Sequence, residues 1–413
     1  MRWVVFLYLI FFLILLVRER RSKTPRYVYQ TVLFFFLSGS IASIWLIFKS
    51  DDFENIRMSL EAVIYHISLL WLLISPLRNL EKDKKVTMIK SSDTILMPFT
   101  VFVITMMLIY IFTGIQDVSL SALATESQEL RDNLDVDYYE GNGFLSYVAY
   151  YAKIYSVVPL VLVFYYIKFK PKNQIIIYLL LFCSLGTAIL SLREAAREYI
   201  IKVLFVAFCL YLLLKDNNIN TQWRRKLRRI FIVLGGLAVA LFVVITIARF
   251  TLTRDIDATE SSIAYLGQGF LNFSEKYVNY PDGLHLEKGK RVFPIIFGNP
   301  TSDIIKPPKH FRIRLDVFST GIGTWLGDCG SVLTVIMVLL FNYLFRIVGR
   351  IKEMNVFTLI YYALIYEMIF SLLFFFHGAW NIGKVSSIIL LICLDILCRK
   401  VKYGKIVYNN PSI

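Results

Sequence analysis

Apolar residues in this chain come in blocks of roughly 16–25, the length of a helix that crosses the hydrocarbon core of a bilayer. Short polar segments separate the blocks. A helix suits this setting because it satisfies its own backbone hydrogen bonds, which lipid does not. The pattern therefore predicts an all-α polytopic membrane protein in which residues 1–413 form a single integral membrane domain.

The blocks predict about eleven transmembrane helices. The predicted spans are 3–17, 27–48, 59–77, 95–115, 143–167, 175–190, 192–214, 230–248, 318–345, 356–376 and 384–398. The first block has the length of a signal peptide, but its positive charges follow the apolar run and no small-residue cleavage site comes after them. It is therefore predicted to remain a membrane helix.

Composition agrees with this class, because hydrophobic residues make up 57% of the chain and charged residues only 18%. Soluble domains contain fewer hydrophobic and more charged residues. The net charge is +15, yet the sequence contains no module that combines basic and aromatic residues for binding nucleic acid. The five cysteines have no metal-binding spacing, and most lie within apolar blocks, so we interpret them as small hydrophobic residues.

The basic residues are concentrated in alternate connections between the predicted helices. More than half of the 45 Lys and Arg lie in 18–26, 78–94, 168–174, 215–229, 346–355 and the tail 399–413. The intervening connections carry few, and the loop 116–142 is acidic. The positive-inside rule then predicts an outer N-terminus and a cytoplasmic C-terminus. The longest connection, 250–317, is predicted to be an outer loop between helices 8 and 9.

The segment SLREAAREY (191–199) places four charged side chains between two apolar blocks, at the predicted outer face. Ser191 and Glu194 form an S-x-x-E capping box, which predicts that the next helix begins here. Arg193 and Arg197 are four residues apart and therefore share one face of its first two turns. Free N–H groups, the helix dipole and two guanidinium groups together favour an anion. The alternative is a local Glu194–Arg197 pair that reaches toward water.

A second basic cluster lies in the last part of the long loop, where several prolines forbid a long helix. His310, Arg312 and Arg314 are close together there. An extended backbone would aim both arginines in the same direction. A basic patch beside the membrane, without further function, is the alternative interpretation.

Ionisable side chains inside the predicted spans are candidates for function, because burying charge in a membrane is costly. They are Glu61, His66, Lys153, Lys202, Asp328, Glu367, His377 and Asp395. For His66 we favour a hydrogen-bonded contact between helices, and Lys202 can reach toward the interface. His377 ends a helix at the predicted outer face, where it could accept a proton or donate to an anion. An ordinary interfacial histidine is the alternative there.

The architecture and two local sequences resemble the bacterial O-antigen polymerase (Wzy) family of oligosaccharide repeat unit polymerases. SLREAARE resembles the family's Ser-x-Arg element at the outer start of a helix, which maps onto Ser191 and Arg193. TWLGDCGSVLTVIMVLLFNYLFRIVGR resembles the element after the long loop, which maps onto Asp328 and Gly330. In the family, the element after the long loop has an acidic residue and a glycine, followed by a helix.

Further positions bear on this resemblance. The spacing from Arg312 to Gly323 fits the R-x10-G pattern of some members. The chain departs from the family at Cys329, where an aromatic residue is usual, and near Asn342, where glycine is common. The likeness in motifs covers about 50 residues, whereas the likeness in architecture covers the whole chain.

The resemblance implies a GT-C-like membrane glycosyltransferase in a bacterial inner membrane, with a periplasmic N-terminus. The growing glycan would leave undecaprenyl pyrophosphate and join a hydroxyl of a lipid-linked oligosaccharide, without metal, nucleotide or other cofactor. A chain-length regulator is an implied partner. The implied pyrophosphate-binding residues are Arg193, Arg197, Arg312 and Arg314. The implied catalytic residues are Arg193, Glu194, Asp328 and His377, with His377 or Glu194 favoured as the base.

Two other functions stay open as alternatives. A flippase for the same lipid-linked oligosaccharide would also present cations to a pyrophosphate, but it would need charge in a central cavity. An O-antigen ligase shares the chemistry and the type of fold, and His377 would suit it.

Overall fold

The structure, a computed structural model, describes part of the chain. The described residues are 2–22, 26–50, 53, 56–80, 87–114, 147–148, 151–152, 154–190, 198–214, 222–230, 232–233, 236, 258–279, 296, 320–351, 353–374 and 382–408. The fold, the site and the contacts below concern these residues.

Helices dominate the described residues. The α-helices are α1 (Phe6–Arg20), α2 (Tyr27–Lys49), α3 (Leu60–Ile74), α4 (Leu77–Leu80), α5 (Asp93–Gly114), α6 (Val158–Phe169), α7 (Gln174–Leu190), α8 (Glu198–Leu214), α9 (222–230), α10 (Ala258–Asn279), α11 (Thr320–Gly349), α12 (Val356–Phe374) and α13 (Ile382–Tyr408). A 3-10 turn, Arg2–Val5, precedes α1. The strands β1 (Thr87–Met88) and β2 (Glu353–Met354) pair in parallel.

Three of the described helices are long and apolar enough to cross a membrane: α2, α5 over Asp93–Thr113, and α11. Large apolar side chains are exposed along one face of such helices, as Phe34, Ile41 and Phe48 are on α2. An exposed apolar stripe suits lipid better than water. The fold is therefore compatible with an all-α membrane protein, and the count of eleven spans stays a prediction.

Several predicted spans coincide with helices of the structure, and the predicted outer loop contains a helix that was not predicted. The spans 27–48 and 95–115 match α2 and α5 to within two residues. Most of the span 230–248 lies outside the described residues. Within 250–317, however, residues 258–279 form the helix α10. Sequence analysis missed this helix because its polar residues keep it below the apolar character of a membrane span.

The chain divides into two compact units. The first unit comprises Met1–Lys84, Asp257–Ile351 and Met368–Val385, and the second comprises Lys85–Ile256, Lys352–Glu367 and Ser386–Ile413. The candidate site described below lies in the first unit.

In the first unit, α10 approaches α2 so closely that backbone meets backbone. A Cβ atom added to Gly267 would lie 2.5 Å from the carbonyl carbon of Ala42 and 2.5 Å from the amide nitrogen of Ser43. The Ser43 hydroxyl donates to the Gly267 carbonyl at 2.7 Å. Small residues permit this spacing between helices. Aromatic rings fill the remaining space among α1, α2 and α10, namely those of Tyr8, Phe12, Phe36 and Phe270.

A buried ion pair joins the end of α1 to the start of α2. Arg26 Nη1 donates to both carboxylate oxygens of Glu19, at 2.7 and 2.8 Å, and Arg78 Nε lies 3.5 Å from the same carboxylate. Removing one partner of a buried pair leaves an uncompensated charge and costs about 3–5 kcal/mol. The pair therefore holds the end of α1 against the start of α2, and α1 is the helix that carries Tyr8 of the candidate site.

In the second unit, Asn355 caps α12 and connects it to α13. Its side-chain oxygen accepts the backbone N–H of Thr358 at 2.9 Å, which satisfies a free donor of the first turn. Its amide donates to Asp395, and Arg399 Nε donates to the same carboxylate at 3.1 Å. Asp395 therefore joins two helices in this unit.

Lys202, which could reach toward the interface, instead has a partner inside the second unit. Its ammonium nitrogen lies 2.9 Å from Glu367 Oε1, and the two side chains are 8% and 22% exposed. Opposite charges that pair with each other are the usual form of ionisable groups in a membrane protein interior. The pair joins α8 to α12.

The close contact between α2 and α10 predicts that Gly267→Ala lowers stability. The added methyl group would overlap backbone atoms of α2, which cannot yield without separating the helices. Overpacking of this kind costs about 1–3 kcal/mol. Thermal unfolding in detergent should show a lower Tm for this variant. Gly236→Ala is the matched control, since no described atom lies within 4 Å of its added Cβ; equal Tm values for the two variants would contradict the contact.

Candidate functional site

Helix α11 is interrupted at Gly330, just after Asp328. Gly330 has φ 75° and ψ 176°, a backbone conformation essentially restricted to glycine. The first half, 320–329, is almost entirely buried, whereas the second half, 331–349, exposes apolar side chains along one face. At 1.5 Å per residue the second half is about 28 Å long, enough to cross a hydrocarbon core, and the first half of about 15 Å is not.

Asp328 is 2% exposed and lies in the last turn of the first half of α11. Its Oδ2 is 3.9 Å from the sulfur of Cys329. The C-terminal end of a helix carries partial negative charge, which disfavours a carboxylate. An ionisable side chain buried in a membrane protein is a candidate for function.

The first half of α11 begins at Thr320, whose backbone is strained. Its φ of 64° is unusual for a β-branched residue. The Thr320 hydroxyl oxygen accepts the N–H of Gly323 at 3.3 Å and lies 3.0 Å from His66 Nε2. His66 Nδ1 is 2.8 Å from the hydroxyl of Tyr8, and the imidazole stacks on Phe273 with 3.7 Å between ring centroids. The predicted role of His66 as a hydrogen-bonded contact between helices is therefore confirmed.

Tyr65, the neighbour of His66 on α3, contacts the chain just beyond the other end of this half-helix. Its hydroxyl donates to the carbonyl of Ser331, the first residue after the break. Its ring lies against Tyr277 of α10, with 5.0 Å between centroids. Two adjacent residues of α3 thus contact both ends of the segment that carries Asp328.

The C-terminal end of α10 carries a cluster of hydrogen-bonded polar groups beside Tyr65. Glu275 is buried, and its Oε2 accepts the backbone N–H of Arg57 at 2.7 Å. Asn279 donates to Glu275 Oε1 and accepts from the Arg57 guanidinium at 3.3 Å. Tyr277 donates its hydroxyl to the exposed carboxylate of Glu61 at 2.7 Å. We call these five residues the α10 polar cluster.

Burial determines the acidity of the α10 polar cluster. It raises the pKa of Glu275 above its usual value, because a buried carboxylate loses its hydration when charged. The hydrogen bonds from Arg57 and Asn279 oppose part of this shift. Burial and the hydrogen bond to Glu61 raise the pKa of Tyr277 to about 12. Tyr277 is therefore a hydrogen-bond donor at neutral pH.

The arrangement combines buried and accessible carboxylates in one unit. Glu275 and Asp328 are enclosed, so they can orient neighbouring groups, whereas Glu61 is exposed beside two tyrosine rings. Aromatic faces with a few convergent polar groups are typical of ligand sites. Within the described ranges, no set of three or more His, Cys, Asp or Glu side chains could hold a metal ion.

Of the site residues predicted from sequence, the structure describes Asp328 alone. Arg193, Glu194, Arg197, Arg312, Arg314 and His377 lie outside the described residues, as do His310 and Lys153. The predicted helix start at Ser191 lies outside them as well. The roles of these side chains stay predictions.

Sequence analysis did not identify Tyr8, Tyr65, Glu275 or Thr320 as site residues. No sequence signal distinguishes the first two from the other aromatic residues of the chain, and Glu275 lies within the predicted outer loop 250–317. A signal for α10 was present, because Ile263, Leu266, Phe270, Phe273 and Tyr277 follow one another at intervals of three and four residues. That spacing is typical of an amphipathic helix.

Comparisons with protein-family models, with curated proteins and with solved structures found no match for this chain.

The raised pKa of Glu275 predicts how Glu275→Gln changes stability with pH. Folding raises the pKa of this carboxyl group, so its protonated form stabilises the fold at pH values below the pKa in the unfolded chain, near 4.5. This stabilisation is lost as the pH rises through the pKa in the folded chain. Glutamine does not ionise, so the Tm of the variant relative to wild type should increase as pH rises. Scanning fluorimetry at several pH values measures this difference.

Glu260→Gln is the control for this experiment, because it removes one carboxylate from the first turn of the same helix. A Tm difference for Glu275→Gln that stays constant, or that falls as pH rises, would contradict the burial of an ionisable Glu275.

Proposed function

We propose that this chain is a membrane glycosyltransferase that polymerises lipid-linked glycan repeat units. The bond between the anomeric carbon of the growing glycan and its undecaprenyl pyrophosphate breaks, and a bond forms to a hydroxyl of the incoming unit. The hydroxyl proton passes to a base, and the pyrophosphate leaves as an anion on its carrier lipid. The proposal extends the family resemblance of the sequence.

The observation that carries the proposal is the buried carboxylate of Asp328 beside a break that only glycine permits. Ionisable side chains held inside a membrane protein commonly mark functional sites, and a strained backbone lowers stability. Such features persist where function requires them. Asp328 and Gly330 are also the positions that match the acidic residue and glycine of the resembled element.

The arginines are assigned to the leaving group. Negative charge develops on the pyrophosphate as the glycosidic bond breaks, and guanidinium groups already in place stabilise it in the transition state. The assigned residues are Arg193, Arg197, Arg312 and Arg314. Because Asp328 is nearly inaccessible, we assign it an orienting role and keep His377 or Glu194 as the base.

The exposed side of the α10 polar cluster supports a saccharide as substrate. Glu61 offers a carboxylate that accepts hydrogen bonds from hydroxyl groups, and the rings of Tyr65 and Tyr277 lie beside it. Sugars present hydroxyl groups at their edges and apolar C–H groups on their faces. Polar groups next to an aromatic surface match both features.

A second candidate function is transport of the same lipid-linked glycan across the membrane. The interrupted helix α11 favours it, because discontinuous helices form the substrate sites of many secondary transporters. The buried Lys202–Glu367 pair would also suit a transporter.

Deletion of the protein in its host distinguishes these functions. Surface glycan run on a gel should show single repeat units without a ladder if the protein is a polymerase. Loss of all repeat-bearing glycan, with lipid-linked units trapped inside, would instead indicate the transporter. Long polymer left on its carrier lipid would indicate a ligase.

Substitutions in the complemented deletion strain test the assigned roles. Asp328→Asn, which removes the charge but keeps the shape, should shorten or abolish the ladder at normal expression. Arg193→Ala should abolish it while single units are still exported and attached. Glu353→Gln, an exposed carboxylate on β2, is the control that keeps the ladder. A wild-type ladder in a stably expressed Arg193 variant would overturn the pyrophosphate role.

A further inference from the structure

Helix α9 packs one face on the protein and exposes a strongly basic opposite face. Trp223 and Leu227 are buried, and residues four apart share a helix face. The Trp223 ring contacts Tyr178 of α7, with 6.0 Å between centroids. The exposed side chains of α9 are those of Gln222, Arg224, Arg225, Lys226, Arg228 and Arg229.

Three of these arginines project away from the packed face. At about 100° per residue, Arg225, Arg228 and Arg229 lie on the side of the helix opposite Trp223. No acidic side chain in the described part of the chain forms an ion pair with any of the three. Lys226 differs, because its ammonium group lies over the Trp223 ring at 4.9 Å. The positive charge of this face is therefore directed outward.

The contact with Tyr178 indicates the level of α9 relative to the bilayer. Tyr178 lies in the second turn of α7, an apolar helix, and is 48% exposed. Tyrosine and tryptophan side chains are enriched at the interface between hydrocarbon and water. The adjoining connection 168–174 is also basic, with three lysines. The exposed arginines of α9 are thus placed near the depth of lipid headgroups.

We infer that the exposed basic face of α9 binds the phosphate groups of anionic phospholipids in the surrounding bilayer. Guanidinium groups bind phosphate through paired, charge-assisted hydrogen bonds. Clusters of basic residues next to a membrane helix are attracted to anionic lipid surfaces. Because Trp223 and Leu227 are already covered by protein, α9 binds through headgroup contacts and does not insert its own apolar face. This inference does not depend on the proposed enzymatic activity.

The test compares purified protein in nanodiscs of phosphatidylcholine alone with nanodiscs that also contain phosphatidylglycerol. Anionic lipid should raise the Tm of the wild-type protein. The triple variant Arg225→Gln/Arg228→Gln/Arg229→Gln should lose most of this increase and keep the wild-type Tm in phosphatidylcholine. Lys49→Gln/Lys90→Gln/Arg346→Gln is the matched control, because it removes three exposed positive charges that come from three separate segments of the chain. It should keep the increase.

Further measurements make each outcome decisive. An unchanged increase in the α9 variant, or an equal loss in the control with three dispersed charges removed, would overturn the inference. If inorganic phosphate added to phosphatidylcholine nanodiscs reproduces the increase, the ligand is a free anion and the lipid assignment fails. If the triple glutamine variant does not fold, the single variants Arg225→Gln, Arg228→Gln and Arg229→Gln replace it, with native mass spectrometry of retained phosphatidylglycerol as the measurement. Each single variant should retain less phosphatidylglycerol than the wild type, and wild-type retention in all three would overturn the inference.

Discussion

The shape of α11 depends on backbone angles that the chain adopts only where surrounding residues hold them. Thr320 at the start of the helix has φ 64°, and Gly330 lies outside the helical region. Such residues cost about 1–3 kcal/mol each when strained. Two residues of α3 form hydrogen bonds at these positions: His66 with the Thr320 side chain, and Tyr65 with the carbonyl of Ser331, just after Gly330. The buried Asp328 is therefore positioned by two neighbouring residues of another helix.

The hydrogen bonds between α3 and α11 in turn depend on α1 and α10. Tyr8 of α1 occupies one nitrogen of His66, and Phe273 of α10 covers its ring. Helix α10 reaches this position because Gly267 allows it to touch the backbone of α2. The same helix ends in the α10 polar cluster, whose Tyr277 packs on Tyr65. The close packing of α10 on α2 therefore also positions the α10 polar cluster beside Tyr65.

The sequence was sufficient to predict the long apolar helices, because length and hydropathy alone determine whether a segment suits lipid. Helices α2 and α5 show this. Helix α10 was missed, since its polar residues keep it below the apolar character of a membrane span, although its apolar residues recur at helical intervals. Asp328 was predicted as an ionisable residue inside a span and through a resemblance, but Tyr65 and His66, which contact its helix segment at Ser331 and Thr320, lie more than two hundred positions away in sequence. The arginines predicted to bind pyrophosphate lie outside the described residues, so their predicted role is unchanged.

The reactivity of Cys329, which adjoins the break, tests most directly whether Tyr65 holds α11. In a Cys393→Ala background, which removes an exposed thiol, the rate of maleimide labelling at Cys329 would be measured for the wild type, Tyr65→Phe and Tyr343→Phe. Loss of a hydrogen bond worth about 1 kcal/mol should raise the rate in Tyr65→Phe about fivefold. Tyr343→Phe, on the exposed face of α11, should label at the wild-type rate. Equal rates for all three proteins would contradict the claim that the Tyr65 hydrogen bond stabilises α11 at its break.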